Sequence, residues 1–289
     1  MDVPNHLHPE QPVLPALVAH DPELAARLAT GVNGVSGVSR RSAVKGGALL
    51  AAGLASAPVA LAAFARTAFG QTRLPAVVIG VLNYALVLEE LEAEFYVRGV
   101  NASGLIPEAD RVIFTTIRDH ELEHVAFLRR TLGASARPKP TFDFTAGNGS
   151  GSGPYANVFT NYETFKAVAQ AFEDTGVRAY KGQAPALLPY DDVLTAALTI
   201  HSVEARHASE VRRLRGDFQD TEPFFQGWVT EAQTDVPGAA AVYAGEDNVT
   251  QGGVNVTTVT PVARKEITEA FDEPLTQAQV LAIIDPFLV

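Results

Sequence analysis

The chain has no cysteine, which removes disulfide frameworks, thiolate zinc sites, iron–sulfur clusters, thiol catalysis and a lipidated-cysteine anchor. A metal bound here must sit on oxygen and nitrogen ligands, the donor set that suits iron or manganese. Basic residues are scarce: 22 Lys and Arg stand against 33 Asp and Glu, a net charge of −11. With a pI near 5.1, the chain lacks the basic stripe that neutralises nucleic-acid phosphates, so nucleic acid is excluded as a partner and small cations are not. Charged residues make up only 19% and hydrophobic residues 47% of 289 positions. That suffices to bury one large core, or one core plus an appendage.

What is present is an internal repeat. Of the seven histidines, only His124 and His207 have a glutamate three residues ahead, Glu121 and Glu204, and both pairs are offset by 83 residues (204−121 and 207−124). A glutamate and a tyrosine seven apart also occur twice, Glu89 with Tyr96 and Glu173 with Tyr180, offset by 84. Three positions along a helix turn the side chain by about 300°, so Glu and His at that spacing share a face and can converge on one ion. One Glu on each of two helices, with Glu-x-x-His on each of two others, is the ligand set of a di-metal carboxylate bundle. Glu92, one turn beyond Glu89, competes for the first-helix role; the repeat favours Glu89, because 92 aligns with Gly176. Tyr96 and Tyr180 are then expected either to donate hydrogen bonds to ligands or to capture an oxidising equivalent, unless they are plain core tyrosines. His201 either orients a ligand or is a satisfied core histidine. His120 is placed on another face from His124 and given no part, and Arg129-Arg130 and Arg212-Arg213 are expected to meet helix dipoles and solvent.

The pattern along the chain predicts four helices. The first, from Pro75 to Val100, aligns Leu82, Leu86, Glu89, Ala93 and Tyr96, an apolar stripe with a carboxylate in its middle. The second, from Glu108 to Leu132, aligns Ile113, Ile117, Glu121, His124 and Leu128 and stops at Gly133. Residues 134 to 158, with Pro138, Pro140 and the run from Gly147 to Pro154, cannot continue a helix and read as a long crossover. The third helix runs from about Asn161 to Tyr180, and a turn holding Pro185 and Pro189 leads to the fourth, from Asp191 to about Leu214. The fold class is therefore all-α: a four-helix bundle over 75–216 with one long crossover between helices 2 and 3. The extension 217–289 has an irregular Gly/Asn/Thr-rich middle and a final short helix opened by a Thr276/Gln279 capping box. It is expected to wrap on the bundle or on a second copy in a homo-oligomer.

The N-terminal segment, residues 1–71, reads as an address. Ser39-Arg40-Arg41-Ser42-Ala43-Val44-Lys45 precedes an uncharged stretch from Gly46 to Ala65, the pattern of a twin-arginine export signal, although Ala43 stands where a large hydrophobe is usual. This predicts a periplasmic, cell-envelope or extracellular location; left uncleaved, the stretch is long enough to be a membrane anchor. Twin-arginine export carries folded proteins, so it suits a cofactor loaded beforehand.

The segments LNYALVLEELEAEFYVRGV, HELEHVAFLRRTLG, FEDTGVRAYKGQAP and VEARHASEVRRLRG, with the C-terminal EAFDEPLTQAQVLAIIDPFLV, resemble the ferritin-like superfamily. The closest likeness is to its bacterial and plant branch of desiccation-associated proteins. The resemblance implies a ferritin-like four-helix bundle with two iron or two manganese ions. Its ligands would be Glu89, Glu121, His124, Glu173, Glu204 and His207. The 73-residue tail (289−217+1) and the export signal depart from a closed iron-storage cage. Three functions remain open: an exported di-metal oxidoreductase acting on dioxygen or hydrogen peroxide, of ferroxidase or catalase type; a metal-sequestering module without turnover; and a structural stress protein with a vestigial site.

Overall fold

The computed structural model describes residues 74–216 and 226–289. The arginine-pair motif and the apolar stretch 46–65 lie outside the described residues. Four long helices dominate: α1 (Ala76–Asn101), α2 (Glu108–Leu132), α3 (Tyr162–Leu187) and α4 (Asp191–Arg215). Helix α2 has the bounds its sequence signals: Pro107 precedes it, Glu108 and Asp110 occupy its positive end, and Gly133, at φ +53°, caps Arg129. Helix α3 overruns the expected turn. Pro185 lies inside its last turn, where a missing N–H forfeits one backbone bond, and Leu187 supplies a buried anchor beyond it.

The closest pairings are α1 with α2 and α3 with α4; α1 and α3 meet along a second seam, and α2 and α4 along a looser one. Helices α1 and α3 are buried nearly all round, whereas α2 and α4 each keep a broad polar face outward. The α1–α3 seam is tight because Gly99 has no side chain; a Cβ there would fall 2.2 Å from the Phe165 ring. Phe165 in turn stacks on Phe95 at 4.8 Å between centroids. Two apolar clusters result, one around Phe95, Phe114, Phe165 and Phe172, the other around Leu82, Leu86, Leu128 and Ile200. On α1, Glu89 and Glu92 alternate with apolar residues of the first cluster, Leu88, Leu91 and Phe95, so the polar site is set into dry packing.

The crossover between α2 and α3 is held as an ordered loop. Asp143 accepts hydrogen bonds from the backbone N–H groups of Thr145, Gly149 and Gly151 at 3.0 Å each. Its neighbours tie to the C-terminus, through Asp143 N–H to Phe287 O at 2.8 Å and Val289 N–H to Thr141 O at 3.1 Å.

After residue 226 the chain forms short elements: α5 (Ala240–Tyr243), a two-stranded antiparallel hairpin of β1 (Thr250–Gln251) and β2 (Val254–Asn255), α6 (Arg264–Glu269) and α7 (Gln277–Ile284). The expected Thr276/Gln279 capping box opens α7. These elements lie on the bundle. Arg178 of α3 donates to the carbonyls of Glu273, Val242 and Ala244 and pairs with Glu246 at 2.8 Å. Leu275 N–H bonds Arg178 O at 3.2 Å, an approach that Gly182 permits. Among the described residues, no helix is long and apolar enough to cross a membrane.

Candidate metal centre

The six residues singled out by the repeat come together in the middle of the bundle. Glu89 from α1, Glu121 and His124 from α2, and Glu204 from α4 offer ligand atoms all within 4.8 Å of one another. Glu121, Glu173 from α3, Glu204 and His207 form a second such group. Glu121 and Glu204 belong to both, so each can face two ions, while Glu89 with His124 and Glu173 with His207 attend one each. All four glutamates are 0% exposed.

The imidazoles lie among these oxygens. His124 Nδ1 is 3.0 Å from Glu89, 3.2 Å from Glu121 and 3.3 Å from Glu204. His207 Nδ1 is 2.8 Å from Glu121 and 3.3 Å from Glu173. Several of these close approaches are not hydrogen bonds. Glu121 Oε1, Glu173 Oε2, both oxygens of Glu204 and His207 Nδ1 are buried without a hydrogen-bond partner. Proximity without directed bonding means that the atoms surround common points instead of pairing with each other.

The charge balance points the same way. Burial holds the Glu89 carboxyl up at about 7, and burial plus neighbouring carboxylates lift Glu204 well above the usual range. Burial alone would also lift Glu121, but the His124 and His207 imidazoles beside it outweigh that and hold the carboxyl below its ordinary value. Burial lowers a histidine, yet Glu173 and Glu121 overcome it and raise His207 to about 11. Four buried carboxylates face two imidazoles, so protons alone cannot neutralise the cluster without several acids staying protonated. A pair of divalent cations on these oxygen and nitrogen donors would satisfy both the orphaned atoms and the charge.

Both tyrosines touch the cluster, and they do so crosswise. Tyr96 of α1 donates to Glu173 of α3 at 2.5 Å, and Tyr180 of α3 donates to Glu89 of α1. Each occupies the outer oxygen of a candidate ligand and thereby sets the direction of the other.

Four readings of individual residues change. Glu89, and not Glu92, belongs to the converging groups; Glu92 is buried as well, at 3% exposed. His120 is not turned away. Four residues advance a helix by about 400°, which puts 120 nearly in line with 124, and its ring stacks on His207 at 5.2 Å with Nδ1 2.9 Å from Nε2. One ring N–H bridges that pair, so His120 orients His207. Arg129 and Arg212 do not simply meet solvent; they pair with Glu90 and with Asp174, the latter at 2.5 Å. These acids also obey the repeat (174−90 = 84 and 212−129 = 83), a signal that a search for offset acid–arginine pairs would have found. His201 is half-buried with an unpartnered Nδ1, and burial lowers its pKa; it belongs to neither group of converging ligand atoms.

The fold and this cluster define a helical bundle with a buried set of carboxylates and histidines that could hold metal. Residues 78–217 match the family model described as Ferritin-like domain; the four-helix core is a ferritin-like domain. A comparison with curated proteins gives no match.

Proposed function

We propose that this is an exported di-metal carboxylate protein, loaded with two iron or two manganese ions, that turns over dioxygen or hydrogen peroxide during oxidative or desiccation stress. The observation that carries this reading is the set of orphaned atoms on Glu121, Glu173, Glu204 and His207, all buried and converging. Glu89 and His124 would hold one ion, Glu173 and His207 the other, and Glu121 and Glu204 both. When bound, such ions supply electrons and open coordination positions for an oxygen substrate. The protein's own part is to orient and to exclude water. Tyr96 and Tyr180 fix Glu173 and Glu89 and keep a proton at each hydroxyl, where burial raises both phenols well above their ordinary range. The imidazoles come from α2 and α4, and His124 is 12% exposed at its side chain.

Export rests on the arginine pair with its apolar stretch, and the stress role on the family resemblance. Elemental analysis of protein purified from its host without added metal is expected to give about two ions per chain. Consumption of peroxide or dioxygen by that protein is expected to vanish in Glu121→Ala and His207→Ala. Equal turnover in both variants would refute the reading; two ions without turnover would make the protein a sequestering module.

A further inference from the structure

The internal repeat is broken at one matched position, and the break lies inside the site. Residue 92 on α1 corresponds to residue 176 on α3 (176−92 = 84). One is a glutamate and the other a glycine. A Cβ on Gly176 would sit 2.8 Å from Glu204 Oε2 and 3.4 Å from Glu92 Oε1. The side chain missing from α3 thus leaves the room that Glu92 and Glu204 take up.

Glu92 has nothing to offset its charge. It is 3% exposed, and among the described residues no N–H, O–H or cationic group reaches its carboxylate. Burial raises its carboxyl well above the usual range, and Glu204, Glu173, Glu121 and Glu89 repel its anion, in that order. A buried carboxylate without a partner is among the costliest groups a core can hold. Gln at the same place would fill the same volume without that cost, so packing does not explain an acid there. The gap at Gly176, about one turn beyond Glu173 on α3, brings Glu92 Oε1 to the same space as Glu204 Oε2 and so to the Glu173 side of the cluster.

We propose that Glu92 is a seventh ligand side chain, serving the ion held by Glu173 and His207 and making the two ion positions chemically unequal. This rests on the di-metal reading of the site. Four carboxylates already balance two divalent ions, so the fifth leaves a negative surplus concentrated at one position. That position therefore binds its ion more tightly than its symmetric counterpart, and the glycine at 176 is what admits the extra oxygen.

The test is calorimetric titration of the chelated full-length protein with manganese(II), comparing wild type, Glu92→Gln and Gly176→Ala, with a thermal melt of each metal-free form. Wild type is expected to take up two ions with distinct affinities. Glu92→Gln should weaken the tighter ion at least tenfold, leave the weaker within threefold, and raise the metal-free melting temperature at neutral pH, since it removes an acid that burial forces to take up a proton. Gly176→Ala, which crowds Glu204 and Glu92, should reproduce the weakening without the rise in melting temperature. Two unchanged affinities in Glu92→Gln would overturn the seventh ligand while leaving the di-metal site standing. A wild type that binds no manganese would overturn both.

Discussion

Stripped of metal, this protein should become less stable as the pH rises from 5 to 8, against the usual expectation for an acidic chain. The Glu89 carboxyl titrates near 4.5 when unfolded and, because of burial, at about 7 in the folded protein. Between those values the folded state holds a proton that the unfolded state has released, so stability falls with pH at about 1.4 kcal/mol per unit per proton. One such proton accounts for about 3 kcal/mol over the window. Glu92 and Glu204 are raised as well, and the proton belongs to the cluster more than to any one member. His207, held up at about 11 by Glu173 and Glu121 against the opposing effect of burial, continues the trend above its unfolded value. Glu121, held below its ordinary value, acts only at pH lower than this range. Opposition comes from His120 and His201, both lowered by burial, which favour the folded state as the pH rises through and below 6.5. They are partly solvated and do not outweigh the carboxylates. For a domain of this size each kcal/mol moves the melting temperature by about 2–4 °C, so chelated protein should melt about 6–12 °C lower at pH 8 than at pH 5. Metal-loaded protein should trend the other way, because protons compete with ions for the same ligands. Calorimetric melts at unit pH steps, with and without chelator, measure both slopes. A flat or rising melting temperature in the chelated series would refute the placement of these acids.

Three further outcomes follow from particular contacts. Tyr96→Phe and Tyr180→Phe should each weaken manganese(II) binding about tenfold, the usual consequence of losing a hydrogen bond to a ligand, as read by titration at fixed pH. Arg212→Met should cost about 3–5 kcal/mol in urea unfolding, because both partners of the Arg212–Asp174 pair are 3% exposed; its repeat counterpart Arg129→Met, whose own side chain is 39% exposed but whose partner Glu90 is 1% exposed, should cost less, about 1–3 kcal/mol. Gly182→Ala would put a Cβ 1.9 Å from the Leu275 carbonyl, so α7 and its flanks should lift from the bundle and become the first sites cut in limited proteolysis.

Much of the fold was legible because its signals are local. Proline before, glycine after and charge at the correct ends delimit α2, and the two Glu-x-x-His pairs name the helices that face each other. The end of α3 was misplaced because a proline in a last helical turn costs one bond, too little to stop a helix anchored by Leu187. Glu92 looked like a competitor of Glu89 because a repeat forces one choice per position, whereas the broken symmetry at Gly176 makes room for both. His120 lies only about 40° from His124 around the helix, a proximity that the Glu-x-x-His spacing by itself does not mark. The hold of the tail could not be read at all: Arg178 reaches backbone carbonyls at 242, 244 and 273, and carbonyls are the same whatever residue carries them. The arginine-pair motif belongs to the part of the chain outside the described residues, so export stays an expectation of the sequence.

The crossed tyrosines explain why the two halves cannot be understood separately. Each half supplies one glutamate whose outer oxygen is held by the tyrosine of the other, and each contributes one of the two glutamates, Glu121 and Glu204, that belong to both groups of ligands. A single half would bury its acids without the phenol that orients one of them, and the second half would also lose His124 from Glu204. Such uncompensated carboxylates cost several kcal/mol each, more than a two-helix unit can supply from its own packing. The long crossover is then a requirement of the chemistry, since it brings α3 alongside α1, where the phenol of each half reaches the carboxylate of the other. The aromatic cluster around Phe95 and Phe165, tightened by Gly99, keeps those two helices close enough for the reach to be direct.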